Sequence, residues 1–428
     1  VSADVIQTTI HFIVTFLFSL LFLMGAATIL SYLDRKVQAY AQDRYGPLHY
    51  GPAGLAQPLL DVGKLLLKED LRASATDNPL FWLAPMIFFA PVITAFVVLP
   101  FSPYLTGAAL ATGVIFYVAL SSIDVIGVFM AGWGANNKYA LIGGLRSAAQ
   151  MISYELPLVL ALVGAVMLTS ITAPACSGAQ PDLNTCGVGS ISFSNIVNAQ
   201  LNPPWLWFVL IQPLGLLIYY ICGLAETNRS PFDLPEAESE LVAGYLTEFS
   251  GLRWALFFLG EYGNMCIVSA VAVAVLLGGW SGPGATEGFW VGLLGGFFGQ
   301  VVFNAIAAFW FIAKMSLFLF AFLMVRVTLP RLRADQLMRF AWLGLIPLTL
   351  FNILLTGALL LIPVDTSLKL IIAGVANWLL LFIFIFGFRR LTGVAKKSEQ
   401  ARQGVPAIPG VERLPAKEAK QLTGAGAP

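Results

Sequence analysis

Histidine and cysteine are scarce, at two and four residues in a chain of 428. The sequence has no CxxC pair, no His-x-x-x-His and no cluster of soft ligands, so zinc, haem and iron–sulfur centres find no ligand set. No metal of the chain's own is expected. A GxxxxGK[ST] loop is also missing, which argues against phosphate cradling and ATP hydrolysis. Charge is thin as well: Asp, Glu, Lys and Arg make up 11% of residues, and 24 basic against 23 acidic side chains leave a net +1. No global field recruits nucleic acid, so the electrostatics lie in where the few charges sit. Apolar surface is what the chain has. Hydrophobic residues reach 58% and mean hydropathy is +0.81, far outside the balance of a soluble domain. The sequence is that of an integral membrane protein.

A span needs about 20 mostly apolar residues to cross roughly 30 Å of hydrocarbon. Nine stretches qualify, at approximately 10–33, 79–100, 107–131, 153–172, 205–224, 255–279, 299–325, 341–362 and 370–388. They are continuously apolar rather than alternating, which excludes a transmembrane barrel and predicts an all-α polytopic bundle. No internal repeat is visible. No basic residue precedes the first stretch and Arg35-Lys36 follow it, so a retained helix is expected rather than a cleaved signal. All but two of the 24 basic residues fall in the loops after spans one, three, five and seven and in the tail; Lys369 lies in an opposite loop and Lys314 within a span. That bias puts the N-terminus outside and the C-terminus inside.

The expected organisation is one transmembrane bundle over 1–388 and an inner tail over 389–428. The tail mixes Lys, Glu, Pro, Gly and Ala without apolar periodicity and reads as disordered. Cys176 and Cys186 share the outer loop 173–204, where they form a disulfide if that side is an oxidising periplasm, or remain two free thiols. Cys222 and Cys266 fall within spans and read as packing residues.

The first inner loop holds an amphipathic helix over about 55–70. Leu55, Leu59, Val62 and Leu66 recur at helical spacing, while Gln57, Asp61, Lys64 and Lys68 repeat it on the other side. Too short and too charged to span, it belongs in the interface, with its Leu face in the acyl chains or against the bundle. It is either a peripheral packing helix or the wall of a lipid-accessible cavity. Just before it, Gly-Pro turns hold Arg35 and Arg44 near the membrane surface.

The third inner loop carries six carboxylates, Glu226, Asp233, Glu236, Glu238, Glu240 and Glu248, against Arg229 and Arg253, on the side that should be basic. A solvated acidic loop is the plain reading. The Phe, Leu, Val and Tyr residues interleaved with the acids, Phe232 among them, point instead to burial. Glu236 and Glu240 stand four apart and share a face if helical. Like charges in a partly desolvated site raise one another's pKa, which suits proton transfer near neutrality. Within or at the ends of spans lie Asp124, Glu155, Glu261 and Lys314, functional candidates because intramembrane charge is costly. A static Lys–carboxylate pair is the structural alternative.

Glu226-Thr-Asn-Arg-Ser-Pro-Phe-Asp-Leu-Pro-Glu-Ala-Glu-Ser-Glu-Leu-Val-Ala-Gly-Tyr245, then Glu248-Phe-Ser-Gly and Ala255-Leu-Phe-Phe-Leu-Gly-Glu-Tyr262, resemble the H-type family of NADH-quinone oxidoreductase, the quinone-site membrane component of respiratory complex I. Gly132 to Glu155 and Pro330 to Met338 resemble the same family. The resemblance covers about residues 10–362. It implies that the surface helix and spans one and six enclose a quinone tunnel flanked by Arg35 and Arg44, with Leu59, Leu66, Arg229 and Phe232 along it. It also implies an acidic passage through Glu155, Glu226, Asp233, Glu236, Glu238, Glu240, Glu248 and Glu261.

By the same resemblance, quinone is a substrate, FMN and iron–sulfur clusters belong to partner subunits only, and the terminal cluster sits in a peripheral arm. Other membrane-arm subunits and lipids are the remaining partners. The location implied is a bacterial inner membrane. Asp34 stands where the family usually has Glu, Leu48-His49 where it usually has Asn, and the ninth span and tail exceed its common eight-span core. A homologous component of a membrane-bound hydrogenase and a stand-alone ion transporter are the rival readings.

Overall fold

The computed structural model describes residues 3–108, 110–172, 191–201, 207–234, 241–285 and 287–402. Cys176, Cys186, Glu236, Glu238 and Glu240 lie outside the described residues. Two compact units divide the chain, Val1–Trp378 and Leu379–Pro428. The elements are α1 (Ala3–Ala41), α2 (Gln57–Leu67), α3 (Asn78–Val98), α4 (Gly113–Gly134), α5 (Lys138–Thr172), α6 (Phe193–Leu201), α7 (Phe208–Ile211), α8 (Pro213–Glu226), α9 (Gly251–Leu276), α10 (Glu287–Leu294), α11 (Gly296–Thr328), α12 (Ala334–Arg339), α13 (Ile346–Leu360) and α14 (Thr366–Arg402). The described residues are helical or loop, with no strand.

Eight runs among them are long and apolar enough to cross a membrane: Phe16–Ala41, Asn78–Val98, Gly113–Gly134, Lys138–Thr172, Gly251–Leu276, Phe298–Thr328, Ala334–Leu360 and Thr366–Phe386. The fifth expected stretch, 205–224, differs. Its helix breaks at Gln212 because Pro213 lacks an N–H and pushes the residue before it out of helical geometry, leaving α7 and the 14-residue α8. Gln212 at the break is buried and its Nε2 donates to Thr356 Oγ1 at 3.2 Å. Trp378 Nε1 donates to the Leu210 carbonyl at 3.0 Å. In Ala334–Leu360 a π-helical turn over Phe340–Leu345 joins α12 to α13.

The centre of the first unit is α9, buried at every residue from Gly260 to Leu276 and packed by α1, α3, α8 and α11, with α2 at its start. Helices α3, α4 and α5 pack side by side, and α5 carries α8 on its other flank. The loop segment Gly244–Leu246 lies directly on α5: a Cβ at Gly143 would come within 2.7 Å of Gly244 Cα, so only glycine permits the approach that brings Tyr245 toward α9.

In the second unit the described backbone is helical to Arg402, and the rest of the expected tail lies outside the described residues. Ala, Lys, Glu, Gln and Arg over 389–402 are good helix formers, and no proline interrupts them.

Candidate functional site

Glu261 sits ten residues into α9, about 15 Å along it by helical rise. Its Oε2 lies 3.1 Å from Arg229 Nη2, with both side chains buried. The Tyr245 hydroxyl donates to Glu261 Oε1 at 3.1 Å. Arg229 also lies over the Tyr262 ring, 4.4 Å from its centre. Tyr262 donates to Asp34 Oδ2 at 2.9 Å, Arg326 of α11 pairs with the same oxygen, and Gln38 Nε2 donates to Oδ1 at 3.1 Å. A buried charge is tolerated only with a partner. Here Asp34, Arg326, Tyr262, Arg229 and Glu261 form one series linking α1, α9, α11 and the loop after α8. Asp233 is close enough that its charge acts on Glu261.

One turn further along α9, Asn264 Nδ2 donates to Asp124 Oδ2 at 2.9 Å. Tyr117, Ser121 and Asp124 share a face of α4 at helical spacing. With Asn264, and with Glu226 at the end of α8, they line a cavity of about 10 Å³ over the positions of a water centre, room for one water. Asp124 Oδ1, Glu226 Oε2 and the Tyr117 hydroxyl have no hydrogen-bond partner among the described residues. Glu155 of α5 accepts from Ser122, with Ser121 Oγ at 3.5 Å. Asp124 feels the charges of Glu226 and Glu155, and Glu226 feels that of Glu155. Two groups, one paired and one acidic, thus stand a single turn apart on α9.

Other candidates lie elsewhere. Arg35 pairs with Asp61 of α2, tying α1 to the surface helix. Arg44 is exposed, and its Nε donates to Gln42 Oε1 at 2.6 Å. Leu59 and Leu66 are 66% and 61% exposed while Pro58 is buried, so α2 turns its Leu face away from the bundle. Phe232 packs 5.7 Å from the Tyr154 ring, and its carbonyl accepts from Gln150 Nε2 at 2.6 Å. Glu248 accepts from Asn137 Nδ2 at 2.9 Å.

Lys314 bonds no carboxylate among the described residues. Its Nζ donates to the carbonyls of Leu277 at 2.7 Å, Gly279 at 3.1 Å and Ser281 at 2.6 Å, and lies 4.3 Å over the Trp207 ring. It caps the C-terminal end of α9, where a cation suits the helix dipole. Lys314→Met should therefore cost about 1–3 kcal/mol by stranding those carbonyls, read as a lower thermal-inactivation midpoint of the purified complex. An unchanged midpoint would refute the capping role.

The sequence did not single out Tyr245, Tyr262, Asn264 or Arg326. Arg326 was legible only as a topology signal at the end of a span. The two tyrosines carried a general hint, since a buried Tyr hydroxyl needs a partner. Nothing in the composition marked Asn264.

Fold and site define a polytopic α-helical membrane protein with charged and acidic groups buried around one central helix. The family model described as NADH dehydrogenase matches residues 13–357. The H subunit of NADH-quinone oxidoreductase from Brevibacillus brevis is 44% identical over 350 residues, covering 82% of this chain and 93% of the relative. Its counterpart from Dehalococcoides mccartyi strain CBDB1 is 41% identical over 363 residues, 85% and 91% of the two chains. That from Anoxybacillus flavithermus is 44% identical over 339 residues, 79% and 90%. The chain belongs to this family, as a membrane subunit of an NADH-quinone oxidoreductase whose other subunits are its partners. The hydrogenase and lone-transporter readings give way to it. The family match ends at residue 357, so α14 and the tail lie beyond it.

Proposed function

We propose that this chain forms the quinone-access tunnel of its complex and the first part of an acidic passage coupling quinone reduction to proton translocation. The observation that carries the reading is the convergence of both features on α9. The surface helix packs at its start, and Glu261 and Asn264 bring the paired and acidic groups together a few turns in. Quinone arrives from the bilayer past the outward Leu face of α2 and takes its electrons from an iron–sulfur cluster in a peripheral subunit. FMN and the clusters reside in partners. A change of charge at the quinone is felt first by the series ending at Glu261 and passes to Asp124, Glu155 and Glu226. The chain lies in a bacterial inner membrane, with the N-terminus outside and the C-terminus inside.

Leu59→Asp with Leu66→Asp tests the tunnel mouth. Two charges on the apolar face oppose its immersion, so NADH-to-quinone activity should fall about tenfold or more. NADH oxidation by a water-soluble acceptor upstream should persist. Equal loss of both activities would mean that α2 serves assembly instead.

A further inference from the structure

The start of α9 grips the end of α2 through contacts used by neither the acidic groups nor the Arg35–Asp61 pair. Lys68 leaves helical geometry at φ −71° and ψ 137°, and the exposed segment 68–71 that follows runs back along the first turn of α9. Ser250 Oγ accepts from the Leu71 N–H at 2.9 Å and donates to the Leu71 carbonyl at 3.3 Å. Arg253 Nη2 lies 2.9 Å from Asp70 Oδ2. Its guanidinium is buried over two rings of α3, 4.0 Å from the centre of Trp82 and 4.8 Å from that of Phe81. Gly251 has φ +56°, and a Cβ there would stand 3.2 Å from the Lys68 carbonyl and 3.7 Å from that of Glu69. The close approach and the left-handed backbone both call for glycine.

Each contact alone is modest. An ion pair with one half-exposed partner contributes little by itself. Together they bond Asp70 and Leu71 of an otherwise exposed segment to the most buried helix of the fold, with Gly251 close against the carbonyls just before them. The planar guanidinium matters beyond its charge, because its flat face stacks on Trp82 while its edge pairs with Asp70, a fit that the compact ammonium of lysine lacks.

We propose that Ser250, Gly251 and Arg253 form a clamp that holds the C-terminal end of α2, and that Ser250 and Arg253 are positioning residues for quinone entry. The inference rests on the reading of α2 as the wall of the quinone mouth. Releasing the clamp lets α2 swing or fray, so the mouth is correctly shaped for a smaller fraction of the time. Quinone then binds less well at unchanged intrinsic chemistry, which raises KM rather than lowering kcat.

The test uses the whole complex in native membranes with Ser250→Ala, Arg253→Gln, Arg253→Lys and the Ser250→Ala/Arg253→Gln pair. Only preparations with the full set of subunits and wild-type NADH oxidation by a water-soluble acceptor are compared. Hydrogen–deuterium exchange over peptides covering 57–71 reports the clamp directly. Exchange there should quicken, and the quinone KM should rise about three- to tenfold in the double variant with the loss in kcat/KM carried by KM. Arg253→Lys should recover only part of the loss. If Arg253→Gln fails to assemble, Ser250→Ala carries both readouts with a smaller shift.

Wild-type exchange over 57–71 overturns the clamp. Faster exchange with an unchanged quinone KM overturns its role in quinone entry. The Leu59→Asp/Leu66→Asp variant, assayed alongside, separates the two failures. If it blocks quinone access while the clamp variants do not, the clamp alone is refuted; if it too leaves quinone access intact, the reading of α2 is at fault.

Discussion

Arg229→Met is expected to abolish NADH-driven quinone reduction and to deplete the assembled complex. The guanidinium is buried beside Glu261 and stacked over Tyr262, so its removal strands a carboxylate in a low-dielectric interior. Breaking such a pair from one side typically costs about 3–5 kcal/mol, a large part of the stability of an ordinary fold. Removing both charges is a different matter. Arg229→Met with Glu261→Met strands neither member of the pair, and well-packed apolar pairs often match or exceed a buried ion pair in stability. The amount of assembled complex on a native gel should therefore recover in the double variant. Quinone-linked turnover should not, because the link between the quinone region and the acidic group on α9 is gone. Recovery of turnover together with assembly would reduce the pair to a packing device.

The architecture was legible because membrane burial writes itself into composition. Eight of the nine apolar stretches appear as helices of spanning length, and α2 appears between the first two at the place its periodicity indicated. The break in the fifth stretch was not legible, because a hydropathy window counts Pro213 as one more weakly apolar residue, whereas the backbone responds to its missing N–H.

Site residues divided along a similar line. Glu261, Asp124 and Glu155 stood out because charge in an apolar run is conspicuous. Their neutral partners did not, since Tyr245 and Asn264 are ordinary in any sequence and acquire meaning only when a fold brings Gly244 onto α5 or α4 onto α9. Lys314 stood out for the same reason, but its partners did not: its charge goes to the carbonyls at the end of α9, which no side-chain pattern marks.

The cavity between α3, α4, α8 and α9 is where coupling should fail without loss of structure. Asp124→Asn keeps an oxygen able to accept from Asn264 Nδ2, and Glu226→Gln keeps size, so neither change need disturb packing. Each removes a carboxyl that can gain or lose a proton. If the two merely fill space, a complex carrying both substitutions should assemble, turn over and pump as the wild type does. If they pass protons, coupled quinone reduction and proton uptake into vesicles should fall together by about 100-fold, the scale typical of a lost acid–base group. NADH oxidation by an upstream water-soluble acceptor should stay intact, placing the lesion after electron entry. Glu226→Asp supplies the discriminating control, since it restores the carboxyl at a shorter reach and should recover part of the pumping that Glu226→Gln loses. Wild-type pumping in the double variant would remove both residues from the passage and leave Asp124 as a structural acceptor for Asn264.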